Sequence, residues 1–82
     1  MPFFVYILYS ESADKYYKGQ TNNLEDRLKR HNAGAEVATV KGRPWKVVWS
    51  TEKESRSEAI ILEKKLKNMN RLKLKSFIDK YS

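Results

Sequence analysis

Residues 3–20, FFVYILYSESADKYYKGQ, decide the fold. The first seven are aromatic or aliphatic at both parities, a pattern suited to a central strand covered on both faces. SESADK reads as a turn and YYKGQ as the returning strand, in which Gly19 marks a bend or a close approach. Pairing Tyr6 with Tyr17 puts the turn at Glu11–Ser12 and sets the two phenols side by side on one face.

Downstream of this hairpin, Asn22-Asn23-Leu24-Glu25 has the form of a capping box, with Asn22 as N-cap and Glu25 at the third helical position. The helix it opens runs through LEDRLKRHN and stops near Gly34. Leu24 and Leu28 face inward, and Arg27 and His31, four apart, stack on one flank about 6 Å from each other. Residues 34–44 (GAEVATVKGRP) form a loop that ends with Lys41 and Arg43 and is closed by Pro44. WKVVWS follows as a third strand. Ser55-Arg56-Ser57-Glu58 is a second capping box, opening a helix to about Lys67 with Ala59, Leu62, Leu66 and Met69 on its inner line. Asn70 caps a last helix that turns Leu74, Phe77, Ile78 and Tyr81 inward. The order β-β-α-β-α-α predicts an α+β fold: a small antiparallel sheet flanked by helices, one domain over residues 1–82.

The chain has 82 residues, so nearly every apolar side chain is needed for the core. It has no cysteine, which excludes a disulfide scaffold and any thiolate nucleophile or metal ligand, and fits a reducing, cytoplasmic setting. The opening MPFFVYILYSE lacks the basic start and cleavage pattern of a signal peptide. No run approaches the ~20 apolar residues of a membrane span. Lys and Arg number 17 against 10 Asp and Glu, a net charge of +7. Residues 64–75 (KKLKNMNRLKLK) hold basic groups and no acid. Such a field favours polyanions, nucleic acid foremost. Lys64, Lys67, Arg71, Lys73 and Lys75, with Lys41 and Arg43 in the loop, are the candidate track for a nucleic-acid backbone.

Glu63 lies roughly 80° from the centre of the Ala59/Leu62/Leu66 stripe, at the edge of the buried face. Two readings stay open for it: an ion pair with Lys67 four residues on, or a carboxylate on a cleft rim that holds a hard divalent cation. Tyr6 and Tyr17 are either core aromatics with wet hydroxyls or, opening on one pocket with Arg27, groups that orient and deprotonate a water. Arg27 could take up charge growing on a phosphate in bidentate fashion. His31 is either a charge favoured by the helix C-terminus or a proton relay. No Gly-rich phosphate loop, His-Glu-x-x-His run or nucleophile elbow occurs, and one histidine without cysteine cannot make a structural zinc site.

These residues resemble the GIY-YIG nuclease family, in its stand-alone single-domain form, across almost the whole chain. Phe4-Val5-Tyr6 stands where the family has Gly-Ile-Tyr, and Tyr17-Lys18-Gly19 where it has Tyr-Ile-Gly. GQTNNLEDRLKRH is similar to the family's run from that glycine into its first helix, and SRSEAIILEKKLK to the helix bearing its metal-binding glutamate. The resemblance implies that Tyr6 and Tyr17 position or activate the attacking water, and that Gly19 keeps space beside the site. It further implies that Arg27 contacts the scissile phosphate, that His31 assists proton transfer, and that Glu63 ligates a single Mg²⁺ or Mn²⁺. The chain departs from the motifs at Phe4 and Lys18; neither change removes a chemical group.

Two functions follow as expectations. The first is a divalent-metal-dependent endonuclease acting on DNA with little sequence specificity, as a monomer and with no membrane association. The second is a non-catalytic nucleic-acid-binding module, or a nuclease domain that depends on a protein partner for specificity. Glu63 separates them, because a carboxylate repels phosphate unless a cation lies between.

Overall fold

The structure, a computed structural model, describes residues 2–81. Three strands, β1 (Phe3–Ser10), β2 (Lys15–Thr21) and β3 (Trp45–Lys53), form one antiparallel sheet in the order β2-β1-β3. Helices α1 (Leu24–Ala33), α2 (Arg56–Lys67) and α3 (Arg71–Tyr81) flank it. This is the expected three-stranded α+β arrangement.

The central strand explains the two-layered core. Val5 and Ile7 point to one face, where Ala59 and Leu66 of α2 and Leu74 of α3 bury them, with Phe77 and Ile78 at the margin. Tyr6 and Leu8 point to the other face and pack with Trp45, Tyr17, Val47 and the α1 residues Leu24 and Leu28. Tyr81, expected to face inward, is 58% exposed, although its ring stacks on Phe77 at 4.9 Å.

The hairpin register differs from expectation by two residues. Tyr6 lies opposite Gly19, and Tyr17 opposite Leu8; the turn spans residues between Ser10 and Lys15 rather than centring on Glu11–Ser12. A slip of two preserves the alternation of faces, so both phenols still share one side. The longer turn has a physical cause in Asp14, which sits at φ 52. Its carboxylate Oδ1 accepts the Tyr9 hydroxyl at 2.7 Å and Arg71 Nη2 at 2.6 Å, while Arg71 Nη1 donates to the Asp14 carbonyl at 2.8 Å. The guanidinium also lies over the Tyr16 ring. Arg71 therefore clasps the hairpin tip to the start of α3. It is not a free cation on the helix surface.

β3 is longer than WKVVWS, and it carries a bulge. Ile7 faces Trp49 and Leu8 faces Val47, so Val48 is the extra residue. Without it Trp45 and Trp49, four apart, would share a face. With it, Trp49 stacks edge-on against Phe77 at 4.9 Å and Trp45 joins the Tyr6 side. The loop after α1 is also more ordered than expected: Val37–Gly42 form a 3₁₀ segment that lies against α1.

The caps were read correctly at Ser55, which accepts from the Glu58 amide, and at Asn70, which accepts from the Lys73 amide. The first cap is Asn23, not Asn22. Its side chain accepts from the Asp26 amide at 3.0 Å, and Thr21 holds it by accepting the Asn23 N–H at 3.1 Å.

The core assignment makes a direct prediction. Leu66→Ala, at a fully buried site, should cost about 2–5 kcal/mol in urea unfolding, whereas Leu72→Ala, 79% exposed, should cost no more than about 0.5 kcal/mol. Equal losses would contradict the placement of α2 and α3.

Candidate active site

Four of the expected residues meet on the Tyr6 face of the sheet. β1 supplies Tyr6, β2 supplies Tyr17 and α1 supplies Arg27 and His31. The ring centroids of Tyr6, Tyr17 and His31 are separated by 6.4, 6.0 and 5.0 Å, so the three rings form one cluster. Gly19 makes this possible by close approach. A Cβ at that position would come within 2.6 Å of the Tyr6 hydroxyl oxygen and 3.2 Å of the Tyr17 ring. The Tyr6 ring thus lies across a gap in the neighbouring strand that only glycine leaves open.

His31 is fully buried and bonded at both nitrogens: Nε2 to the Tyr6 hydroxyl at 3.0 Å and Nδ1 to Thr39 Oγ1 at 2.7 Å. Thr39 in turn donates to the Glu36 carbonyl. One arrangement of hydrogens satisfies all three contacts, with Nδ1–H donating to Thr39 and Tyr6 O–H donating to Nε2. The outcome is a chain, Tyr6 to His31 to Thr39, in which a neutral imidazole accepts from a phenol. Burial holds the His31 pKa below its ordinary value; Arg27 and Arg30 push the same way and Glu36 opposes them. The Tyr6 phenol is raised well above the usual range, first by burial, then by Tyr17, with Glu63 and Glu36 adding and Arg27 opposing. The expectation of a surface charge at the helix end does not describe this histidine.

Arg27 is half-buried beside the cluster, with Glu36 as its nearest acid at 3.7 Å; Arg30 reaches the same carboxylate at 3.3 Å. Glu63 arrives from a different direction. It stands on α2, which covers the opposite face and runs along the edge strand β2. Its charge is nonetheless felt at Tyr6. Its side chain is 18% exposed and pairs with Lys67 Nζ at 3.2 Å. Of the two sequence readings of Glu63, the ion pair with Lys67 is present in the structure. Among the described residues no group of three or more His, Cys, Asp and Glu could hold a metal ion. One carboxylate suits Mg²⁺, which retains waters and shares substrate phosphate oxygens, and does not suit a cation caged by protein.

Of the expected backbone-binding residues, Lys41, Lys64, Lys73 and Lys75 are exposed. Lys67 is paired with Glu63, Arg71 with Asp14, and Arg43 donates through Nε to the Val40 carbonyl. Sequence reasoning missed Thr39, Glu36 and Asn32. Asn32 Nδ2 donates to the Trp45 carbonyl at 3.1 Å and its Oδ1 accepts the Trp45 amide at 2.6 Å, tying α1 to β3. Thr39 lies in a run of small residues without a motif; Glu36, the one acid of that loop, was the available signal.

The family model for the GIY-YIG catalytic domain matches residues 2–75. The chain belongs to the GIY-YIG family. Its relatives include a UPF0213 protein of Limosilactobacillus reuteri (strain DSM 20016), 33% identical over 79 residues, covering 93% of this chain and 81% of the relative. A UPF0213 protein of Clostridium perfringens (strain 13 / Type A) is 39% identical over 69 residues, covering 83% and 73%. The solution NMR structure of a UPF0213 protein from Bacillus halodurans superposes with a TM-score of 0.63 at 29% identity, covering 96% of this chain and 84% of that one. The domain is thus of nuclease type, for which nucleic acid is the corresponding substrate class. Among the described residues no helix is long and apolar enough to cross a membrane.

Two outcomes follow from this geometry. Gly19→Ala forces the Tyr6 hydroxyl from its place; it should cost about 1–3 kcal/mol of stability by overpacking and weaken the Tyr6–His31 contact, visible as a changed His31 ring shift by NMR. Retained stability with an unmoved His31 signal would contradict the packing. Separately, the folded-state His31 pKa is depressed, so the unfolded chain takes up a proton near pH 6.5 that the folded one refuses. Stability should be flat above about pH 6.5 and fall as the pH drops below it, and His31→Gln should flatten that slope. An identical slope in the variant would remove His31 as its source.

Proposed function

We propose that this protein is an endonuclease that hydrolyses phosphodiester bonds of DNA with the help of one Mg²⁺ or Mn²⁺ ion, with little intrinsic sequence specificity. The observation that supports it most is the Tyr6–His31–Thr39 hydrogen-bond chain lying beside Tyr17 and Arg27 on one face. The chain ties sheet, helix and loop together, and what supports a catalytic use beyond that is the part-exposed Tyr17 and Arg27 set beside it.

In this reading a water is oriented by the phenols and attacks phosphorus as the bond from phosphorus to the 3′ oxygen breaks. The departing 3′ oxygen takes a proton from solvent. The water's proton passes to the Tyr6 oxygen as the Tyr6 proton passes to His31 Nε2. The concerted form matters, because the raised Tyr6 pKa makes a free phenolate costly, whereas the handoff never builds one. The imidazolium so formed stays tethered by Nδ1–H to Thr39, and the Glu36 charge offsets it. Arg27 takes up the charge developing on the phosphate, exchanging its long contact with Glu36 for a bidentate one. Glu63 would hold the cation, releasing Lys67; bound there, the ion supplies Lewis-acid charge to the phosphate oxygens. The net positive charge and the exposed Lys64, Lys73 and Lys75 supply affinity that depends on salt and not on sequence.

The Lys67–Glu63 pair favours a second reading, a nucleic-acid-binding module in which the acid is only a structural partner. Cleavage of labelled supercoiled, single-stranded, flap and four-way-junction DNA separates the two. With Mg²⁺ or Mn²⁺ the wild type should cut and EDTA should stop it. Glu63→Ala should lose the metal-dependent activity, and Arg27→Ala should lower kcat by about 10²–10³ with a small change in binding. Salt-sensitive binding without cleavage, equal in all three proteins, would establish the binding module instead.

A further inference from the structure

A groove of about 330 Å³ opens between the β1–β2 hairpin and the 3₁₀ segment, and Tyr17 is part of its wall. Because the same tyrosine packs on His31 at 5.0 Å, whatever fills the groove lies next to the ring cluster. Tyr17, Trp45 and Val40 give the groove an aromatic and aliphatic lining, and Lys15 and Lys41 are its cations; no acid lines it. That combination, π-faces and apolar surface flanked by positive charge, complements one type of occupant: a base with its phosphates.

The floor of the groove is rigid before any ligand arrives. Trp45 is 7% exposed, its indole Nε1–H donates to the Thr39 carbonyl at 2.7 Å, and its backbone is tied to Asn32. Gly42 allows this placement, since a Cβ there would collide with the indole ring. The volume is near the lower end of ligand pockets and suits a single nucleotide, not a base pair. The 3₁₀ wall also carries Val37, 91% exposed, an apolar side chain at the mouth that the fold itself does not bury.

Building on the nuclease reading, we propose that this groove is a subsite for one unpaired nucleotide adjacent to the scissile phosphate. The preferred substrates are then strands with an unstacked base at the cleavage point: single strands, flaps and loops. An intact duplex must first extrude a nucleotide, and that unstacking lowers its affinity.

The test is a ¹⁵N NMR titration of the intact protein with single-stranded pentathymidylate and with a short duplex, both in EDTA so that nothing is cut. Saturable shifts at residues 37–42 and at the Trp45 indole N–H should appear with the single strand, with a Kd at least about tenfold below that for the duplex. Two substitutions of exposed residues disturb the groove without touching the ring cluster. Ala38→Trp fills it and Val37→Glu adds a repelling charge; each should raise the single-strand Kd at least about tenfold and leave the duplex Kd within about twofold. Shifts confined to the lysines of α3, equal affinities for the two DNAs, or unchanged binding in both variants would overturn the subsite. Binding read without turnover keeps the two conclusions apart. Groove shifts in a protein that cuts nothing would retain the subsite and remove the nuclease, while rapid duplex cleavage with a silent groove would do the reverse.

Discussion

The contact of the Tyr6 ring with Gly19 is the constraint on which the rest of the molecule depends. A tyrosine in a central strand, 1% exposed, needs room on its own sheet face, and that room comes from the missing side chain directly across the hairpin. Once the ring lies there, its hydroxyl meets the inner flank of α1, where His31 waits. His31 then draws the 3₁₀ segment inward through Thr39. The sheet, the first helix and the following loop are thus joined by one polar line through an otherwise apolar layer.

Burying that line has an energetic logic. An imidazole with an unpaired nitrogen inside the core would carry a desolvation cost of about 1–3 kcal/mol, and here both nitrogens are matched. The arrangement also divides labour among the titratable groups. Tyr6 and His31 are withdrawn from solvent and share a hydrogen bond, while Tyr17 and Arg27 remain part-exposed.

Much of this was legible in the sequence, because the signals were local. The run from Phe3 to Tyr9 announces a doubly covered strand, and Ser55-x-x-Glu58 fixes a helix start to the residue. The misses came where the deciding contact is distant or degenerate. Asn22 and Asn23 are followed at the third helical position by Glu25 and Asp26, so two capping boxes compete, and Thr21 chooses between them. The hairpin register was displaced because Arg71, 57 residues from Asp14, helps hold the tip. Val48 gives no sign of being a bulge, yet it sends the two tryptophans to opposite faces. Arg71 looked like one of several cations on a basic helix, and charge alone could not show that this one was already engaged. The constellation of Tyr6, Tyr17, Arg27 and His31 was visible as a set; the buried state of the histidine was not, because its partner Thr39 lies in a stretch that has no pattern of its own.

The 3₁₀ segment from Val37 to Gly42 is short, and its outer residues face water. It is nevertheless what keeps His31 dry and fixes which nitrogen bears the hydrogen. Local opening of the segment and proton uptake by the imidazole are therefore thermodynamically linked: each lowers the free energy of the other. The amides of this one turn become reporters of the proton's position, with exchange protection that weakens in acid before the sheet itself loosens. A loop that looks like a surface connection thus acts as the seal on a buried imidazole.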